Sequence, residues 1–483
     1  MNRFHDSHFL YPVFRSLLFY LPFFTLAPML LCSPAVVFSQ QTWERDYGGA
    51  GTEEGFSVQQ TSDGGYIVSG RTCSFATNQV YLVKTNASGD TLWTRNYGGT
   101  EDELGYSVQQ TSDGGYIIAG GTDSFGNGFQ VYLIKTNASG DTLWTKTYGG
   151  AAEDWGYSVR QTLDGGYIVA GTTSSFGNIS DVYLLKTTSS GDTLWTRTYG
   201  GAGWEGGSSV QQTGDSGYVI AGQTYSFGAG GSDVYLIKTN ARGDTLWTRA
   251  YGGTTDDAGG SVQQTSDGGY VVAGMATSFG STIQAYLIKT NASGDTLWTR
   301  NYGGGGTDDG NSVQQTSDGG YIAAGSSNSY GNGVQVYLIK TNAGGDTLWT
   351  RSYGLGRGDD QGSSVQQTSD MGYIIAGTTT SFGNGYQVYL IKTDSIGRYS
   401  SGVEENKGFE GPRVQGIKIT PNPFTSFTIL PGHEAERFSL YDITGRKVGI
   451  YRGDRIGEGL SQGVYFVRRE GEGGSLARVV KIR

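Results

Sequence analysis

The chain has 483 residues, with 82 glycines, 8 prolines and a formal net charge of −10. Its length is ample for a large buried core, and its 32 tyrosines argue against a disordered chain, since such chains are poor in aromatic residues. The low proline count excludes a collagen-like chain. The acidic balance disfavours nucleic acid as a partner, because an acidic surface repels a phosphate backbone.

Residues 1–39 have the pattern of a secretory signal peptide. Arg3 and Arg15 lie at the start, a short apolar run covers residues 17–31, and small residues near Ser39 offer a cleavage point. The run is short for a membrane span, so we expect cleavage, with a retained anchor as the alternative. No later segment is apolar enough to span a membrane, and we expect a secreted or surface-attached protein.

A sequence repeat of about 51 residues then occurs in seven copies along the chain. Each copy contains close variants of Ser-Val-Gln-Gln-Thr, Asp-Gly-Gly-Tyr and Val-Tyr-Leu-Ile-Lys-Thr. Six copies end on Asp-Thr-Leu-Trp, whereas the seventh stops after Thr393. The missing piece occurs at the start, as Thr42-Trp43-Glu44-Arg45.

One copy predicts four short strands and no helix. In the second copy these are residues 106–111, 116–120, 131–136 and 141–146. Asp-Gly and Ser-Gly pairs between them suit tight hairpin turns. Four antiparallel strands per repeat, seven times, predict an all-β, seven-bladed β-propeller.

The split copy predicts how the ring closes. Residues 364–393 would supply three strands of the last blade, and the N-terminal strand Gln41–Tyr47 would supply the fourth. A β-solenoid is the alternative, but it has no use for a split repeat. A tryptophan series keeps the phase of the repeat, and we interpret it as blade-to-blade packing rather than a ligand-stacking ladder. Its members are Trp43, Trp93, Trp144, Trp195, Trp247, Trp298 and Trp349.

The order Tyr-Ile-Ile-Ala-Gly-Gly, Val-Tyr-Leu-Ile-Lys-Thr and Leu-Trp resembles kelch and related bacterial propeller repeats. The glycine pair of kelch blades is kept only at Gly120-Gly121; elsewhere the second glycine is replaced, as in Gly70-Arg71. The resemblance covers residues 41–397 and implies the propeller fold. It implies little about function, since one fold hosts many functions.

The end of the chain is a different unit. We assign residues 40–397 to the propeller, 398–413 to a linker and 414–483 to a C-terminal domain. Pro421-Asn422-Pro423-Phe424, Leu440-Tyr441-Asp442-Ile443-Thr444-Gly445 and the basic end Val479-Val480-Lys481-Ile482-Arg483 carry its pattern. They resemble the sorting domain of proteins exported by the type IX secretion system.

That resemblance implies a small immunoglobulin-like β-sandwich, read by the outer-membrane secretion machinery of a Gram-negative-type bacterium. It also implies delivery to the cell surface or the medium. An ordinary β-sandwich module is the alternative.

Signals for catalysis are sparse. The three histidines are His5, His8 and His433, all outside the propeller repeats, so these offer neither a Ser-His-Asp triad nor an imidazole metal site. Most carboxylates recur in every copy, whereas an active site normally breaks the repeat. We therefore expect no enzymatic activity and no cofactor. A glycoside hydrolase or lyase using a carboxylate pair in the central channel is the rival.

The repeat places its longer, variable loops on one face, which we expect to carry acidic pairs and two extra tryptophans. The candidate ligand-binding residues are Glu101, Asp102, Glu153, Asp154, Trp155, Trp204, Glu205, Asp256, Asp257, Asp308, Asp309, Asp359 and Asp360. Carboxylates of this kind suit Ca²⁺ weakly, since no calcium loop motif is present, and they can equally serve solubility or turn capping. The tryptophans can stack on a sugar or simply pack the loops.

These features together predict a monomeric, non-enzymatic binding or adhesion scaffold that recognises a glycan or protein ligand through the loop face. A structural surface-layer component is a further alternative.

Overall fold

The computed structural model describes residues 41–399 except 75–76, 127, 178, 281, 355–357 and 383–384. Near the C-terminus it describes residues 428–429, 437–442, 446–452, 455–456, 459–461, 463–469 and 476–481. The chain divides into two compact units, Met1–Gly402 and Val403–Arg483. The predicted signal peptide, most of the predicted linker and the Pro421–Phe424 motif lie outside the described residues.

The first unit contains seven antiparallel sheets of four strands, as the repeat predicted. In each blade, consecutive strands pair with their neighbours in chain order. Blades 1 to 3 comprise Glu53–Gln60, Tyr66–Thr72, Gln79–Thr85 and Thr91–Tyr97; Glu103–Gln110, Tyr116–Thr122, Gln130–Thr136 and Thr142–Tyr148; and Asp154–Gln161, Tyr167–Thr173, Asp181–Thr187 and Thr193–Tyr199.

Blades 4 to 6 continue the same order, with a shortened first strand in blade 6. They comprise Glu205–Gln212, Tyr218–Thr224, Asp233–Thr239 and Thr245–Tyr251; Asp257–Gln264, Tyr270–Ala276, Gln284–Thr290 and Thr296–Tyr302; and Ser312–Gln315, Tyr321–Ser327, Gln335–Thr341 and Thr347–Tyr353.

Blade 7 combines the two ends of the repeat region. Asp360–Gln367, Tyr373–Thr379 and Gln387–Thr393 form its first three strands, and Trp43–Tyr47 pairs antiparallel with the third. Trp43 lies opposite Lys392 in this pairing, and Tyr47 lies opposite Val388.

Apolar clusters lie between neighbouring blades, because both faces of each sheet are apolar and must be covered. Blades 1 and 2 share Leu82, Val108 and Ile118, all buried. Between blades 7 and 1, Trp43 packs with Tyr66 and Leu390 in the corresponding cluster.

The outer strands connect to the next blade in the same way all round. Each repeat tryptophan meets a tyrosine of the following blade, with ring centroids 5.7 Å apart for Trp43–Tyr66 and 5.9 Å for Trp93–Tyr116. A tyrosine at the end of each outer strand donates a hydrogen bond to a turn carbonyl of the following blade, as Tyr47 Oη does to Gly89 O at 2.6 Å. The interpretation of the tryptophans as packing groups agrees with these contacts.

Except in blade 6, the first strands begin earlier than the sequence predicted and contain a β-bulge. In blade 2 the strand starts at Glu103, and its pairing register shifts between Gly105 and Ser107. The bulge brings the Leu104 carbonyl so close to Gly120 that a Cβ there would overlap it. This close contact explains why the repeat has glycine at the position of Gly120. The bulge also takes Tyr106 out of the strict alternation of side chains along the strand.

In the C-terminal unit, a four-stranded antiparallel sheet has the order Lys447–Arg452, Arg437–Asp442, Gly463–Arg469 and Leu476–Lys481. Thr428–Ile429 pairs separately with Arg455–Ile456. Phe438, Leu440, Tyr465 and Val467 form the buried core of this unit. The described part of the chain contains no α-helix with the length and apolar character needed to cross a bilayer.

Candidate functional site

The predicted acidic face is only partly present, because one carboxylate per blade is buried. The first residue of each first strand, or the equivalent residue in blade 6, is at most 1% exposed. These residues are Glu53, Glu103, Asp154, Glu205, Asp257, Asp308 and Asp360. The prediction that Asp154, Glu205, Asp257, Asp308 and Asp360 face a ligand is therefore wrong.

The buried carboxylates hold the loops together. Glu205 Oε1 accepts hydrogen bonds from Thr224 Oγ1 at 2.8 Å and from the Ser226 amide at 3.1 Å. Its Oε2 accepts one from the Gly201 amide at 2.8 Å. A short chain segment from each loop is thus fixed by one anion, which explains why the acidic residue recurs in every copy.

A second group of predicted residues bridges adjacent loops. Asp102 accepts from the Asn78 amide at 2.9 Å, Asp256 from the Ser232 amide at 2.9 Å, and Asp359 from the Val334 amide at 3.3 Å. Glu101 and Glu153 are exposed. Within the described residues, no group of three His, Cys, Asp or Glu side chains could hold a metal ion.

Asp309 differs from the other predicted acids. It accepts from the Ser326 amide at 2.6 Å and from Asn311 Nδ2 at 3.2 Å. Burial raises the pKa of Asp309 to about 6, although the hydrogen bonds from Ser326 lower it; the neighbouring charge of Asp308 raises it by a smaller amount. It lies on blade 6, apart from the predicted tryptophans.

The loop face does contain an asymmetric pocket, which we call the aromatic pocket. Its cavity of about 350 Å³ lies among residues of blades 1 to 4. The lining residues are Phe56, Tyr106, Tyr157, Thr172, Trp204, Gly206, Gly207, Ser208 and Gln223.

Four of these residues occupy one position of the repeat, the bulge of the first strand. Blades 1, 2 and 3 have Phe56, Tyr106 and Tyr157 there, and blade 4 has Ser208. The corresponding residues of blades 5 and 7 are Gly260 and Ser363. Blade 6 has Asn311 there. Aromatic rings therefore occupy this position in three consecutive blades around the channel mouth, and serine, glycine or asparagine occupies it in the other four.

The rings contact one another and form a continuous wall. Phe56 stacks on Tyr106 with centroids 5.2 Å apart, and Tyr106 lies 5.0 Å from Tyr157. Trp155 packs behind them, 4.0 Å from Phe129 and nearly parallel to Tyr157 at 6.4 Å. Of the two predicted tryptophans, Trp204 lines the pocket and Trp155 supports its wall.

Polar groups converge on the same cavity. Thr172 is 6% exposed, and its buried Oγ1 has no hydrogen-bond partner among the described residues. Gln223 lies opposite Gly206 in blade 4, and both residues line the pocket. Burial raises the pKa of Tyr106 and Tyr157, so both hydroxyls stay protonated at neutral pH.

Sequence reasoning missed Phe56, Tyr106 and Tyr157. A signal was present, since three consecutive copies have an aromatic residue just before Ser-Val while the other copies have serine, glycine or asparagine. The repeat pattern interprets this position as an ordinary strand residue, and only the bulge reveals that it faces the channel mouth.

No protein-family model matches the chain, and no curated protein matches it significantly. Solved structures match at low identity. Sqt1 of Chaetomium thermophilum, bound to the N-terminus of ribosomal protein L10, is 10% identical with a TM-score of 0.43, over 74% of this chain and 100% of that one.

The WD40 domain of Neurospora crassa Pan2 is 10% identical with a TM-score of 0.46, over 73% of this chain and 94% of that one. An ulvan lyase, from a new family of polysaccharide lyases, is 13% identical with a TM-score of 0.46, over 72% and 96% respectively. At this level the similarities provide no information about this chain's chemistry.

Proposed function

We propose that the propeller is a non-enzymatic module that binds a glycan, with a sugar ring in the aromatic pocket. The observation that carries the proposal is the aromatic wall, together with the buried Thr172 Oγ1, which has no hydrogen-bond partner among the described residues. The apolar face of a sugar stacks on aromatic rings, and its hydroxyls need hydrogen-bond partners at the same place.

The size of the cavity supports one or two sugar rings rather than a protein interface. About 350 Å³ lies at the lower end of the range for small-molecule sites. The rival hydrolase or lyase would need a carboxylate pair in the central channel. The described residues that line the cavity in that channel are serine, valine, glutamine and Arg160.

A glycan array followed by calorimetry of the best binder tests the proposal. Trp204→Ala should weaken binding at least tenfold, because it removes the ring at one side of the pocket. Thr172→Val keeps the shape but removes the hydroxyl, and should weaken binding several-fold with little change in stability. Phe279→Ala is the matched control, since Phe279 is an exposed loop aromatic on blade 5.

Two results would refute the proposal. One is a glycan that is cleaved but not retained, which would indicate an enzyme. The other is a bound ligand whose affinity is the same in Trp204→Ala, Thr172→Val and Phe279→Ala, which would place its site elsewhere.

We also propose that the chain is exported and that the C-terminal unit is its type IX sorting signal, with an immunoglobulin-like fold. The sorting motifs and the basic chain end support this, together with the antiparallel sheet of residues 437–481. In a bacterium with this secretion system, the full chain should reach the surface or the medium, and a chain ending at residue 413 should stay in the periplasm. Equal surface delivery of both would contradict the proposal.

A further inference from the structure

The first strands of all seven blades enclose a polar cavity of about 210 Å³, the central channel. Serine, valine and glutamine from the repeated Ser-Val-Gln sequence line it. The glutamines at one level of the channel are Gln59, Gln109, Gln211, Gln263, Gln314 and Gln366, and the seventh position is occupied by Arg160.

Backbone hydrogen bonds fix the orientation of these glutamine amides. Gln59 Oε1 accepts from the Gln110 amide of the next blade at 2.6 Å, and Gln211 Oε1 accepts from the Gln264 amide at 2.5 Å. The other four glutamines make the same bond. A backbone N–H can only donate, so each side-chain oxygen is assigned and already accepts one hydrogen bond.

Most of the remaining hydrogen-bonding capacity of this ring is therefore donor capacity, since each oxygen keeps one lone pair whereas each NH₂ group keeps two hydrogens. Six amide NH₂ groups are left once the oxygens are engaged, and the guanidinium of Arg160 has no acceptor atom at all. Because Arg160 cannot accept a hydrogen bond, the Gln212 amide of the next blade also lacks the acceptor that its six counterparts have. A ring in which donors outnumber free acceptor positions, and which includes a guanidinium, is suited to an anion.

Arg160 adds a positive charge that the described protein leaves uncompensated. Its Nη1 donates to the Val159 carbonyl at 2.8 Å, and it forms no ion pair with a described carboxylate. Burial lowers the pKa of Arg160, which reflects the cost of removing its charge from water, yet arginine stays charged in proteins. An anion in the channel would compensate this charge.

We propose that the central channel is an anion-binding site, with Arg160 as its anchor and the glutamine amides as additional donors. Its ligand is a carboxylate, sulfate or phosphate group. Charge-assisted hydrogen bonds to guanidinium are among the stronger polar contacts, and its planar fork of N–H groups can bind two oxygens of such an anion at once. This site is separate from the aromatic pocket, and its argument does not depend on the proposed glycan site.

Calorimetry of the mature protein with sulfate, phosphate and acetate, at constant ionic strength set with chloride, tests the proposal. The wild type should bind at least one of them. Arg160→Gln should bind it at least tenfold more weakly while remaining folded, since glutamine is the residue that six blades already have at this position. Arg242→Gln, in an exposed turn, controls for the change in net charge.

Comparison of ligands distinguishes the source of the anion. Tighter binding of inorganic sulfate or phosphate than of glucuronate would indicate a free anion. Tighter binding of glucuronate than of both acetate and glucose would indicate the acidic group of a larger ligand. A wild type that binds none of these anions, or an Arg160→Gln variant that binds them equally well, would overturn the proposal.

The two proposed sites can fail independently. Arg160→Gln should leave the affinity of a neutral sugar unchanged, and Trp204→Ala should leave sulfate affinity unchanged.

Discussion

The seven blades are nearly identical where they touch one another and unlike one another at the mouth of the channel. At the outer strands, a tyrosine hydroxyl bonds to the next blade's turn in every blade, from Tyr47 to Tyr353. At the bulge position, the side chain changes from aromatic in blade 1 to glycine in blade 5. Contacts between blades must repeat because every blade packs between two blades of the same structure. The residues at the channel mouth make no such repeated contact and can therefore differ between blades.

Loss of one of the seven outer strands should have the largest effect on stability. Deleting residues 41–47 removes Trp43 and Tyr47 and leaves the third strand of blade 7 as an unpaired edge. We expect loss of the cooperative transition or aggregation, measured by circular dichroism and light scattering, because exposed edges pair with other chains.

A point variant provides the finer comparison for this strand. If the N-terminal strand stabilises blade 7 as much as the other outer strands stabilise their own blades, Trp43→Ala and Trp144→Ala should have similar effects. Each should lower the unfolding free energy by roughly 3–5 kcal/mol. A truncated protein as stable and monomeric as the parent would show that the strand is dispensable for the ring.

The next prediction separates buried from exposed acids on the loop face. Glu205→Ala should cost roughly 3 kcal/mol of unfolding free energy, because three donors lose a charged acceptor. Glu101→Ala, at an exposed position, should change stability by less than about 0.5 kcal/mol. Urea denaturation measures both, and equal effects would contradict the assignment of a structural role to the buried acid.

A third prediction concerns a carboxylate pair that breaks the repeat. Blade 7 has Gln387, whose Nε2 donates to Glu53 at 3.2 Å, whereas blade 3 has Asp181 facing Glu205 across Gly200. Burial, with repulsion from Glu205 as a lesser cause, raises the pKa of Asp181 above its ordinary 3.8. The charged form is therefore disfavoured in the folded state, and stability present below pH 3.8 is lost as pH rises through the folded pKa.

Asp181→Gln should raise the unfolding free energy at pH 7 by about 1 kcal/mol, and the gain should vanish at pH 3. The reverse variant, Gln387→Asp, should destabilise at pH 7. Thermal unfolding at both pH values measures this, and a gain of the same size at pH 3 would show that charge is not the cause.

The smallest effect is expected at two turns that depart from the repeat. Ser216 and Met371 have φ values of 66° and 69°, where five blades have glycine. A left-handed conformation costs a residue with a side chain about 1 kcal/mol, so Ser216→Gly and Met371→Gly should each stabilise by up to that amount. Ser112→Gly, in the same turn of blade 2 but one residue before the Asp, should not stabilise. Thermal unfolding midpoints would measure the difference.

The sequence alone determined the number of blades, the four strands in each, and the packing role of the tryptophan series. These follow from periodicity, since a segment of this length with apolar strands on both faces must be covered by identical neighbours. The split copy also predicted which segment pairs with the third strand of the last blade, because strand sequences that recur have the same partner in every copy.

Only the tertiary structure decided which polar groups are exposed and can contact a ligand. Asp154 and Glu153 are adjacent in the sequence, but only the first is buried beneath its loop. The pattern of alternation cannot predict that a bulge directs Tyr106 to the channel mouth, since one inserted residue reverses the face of those that follow. The glutamine amides become a ring of donors only because the next blade's backbone engages their oxygens. Burial, bulges and partners depend on neighbouring blades, and this is the physical reason why the repeat determined the fold but not the sites.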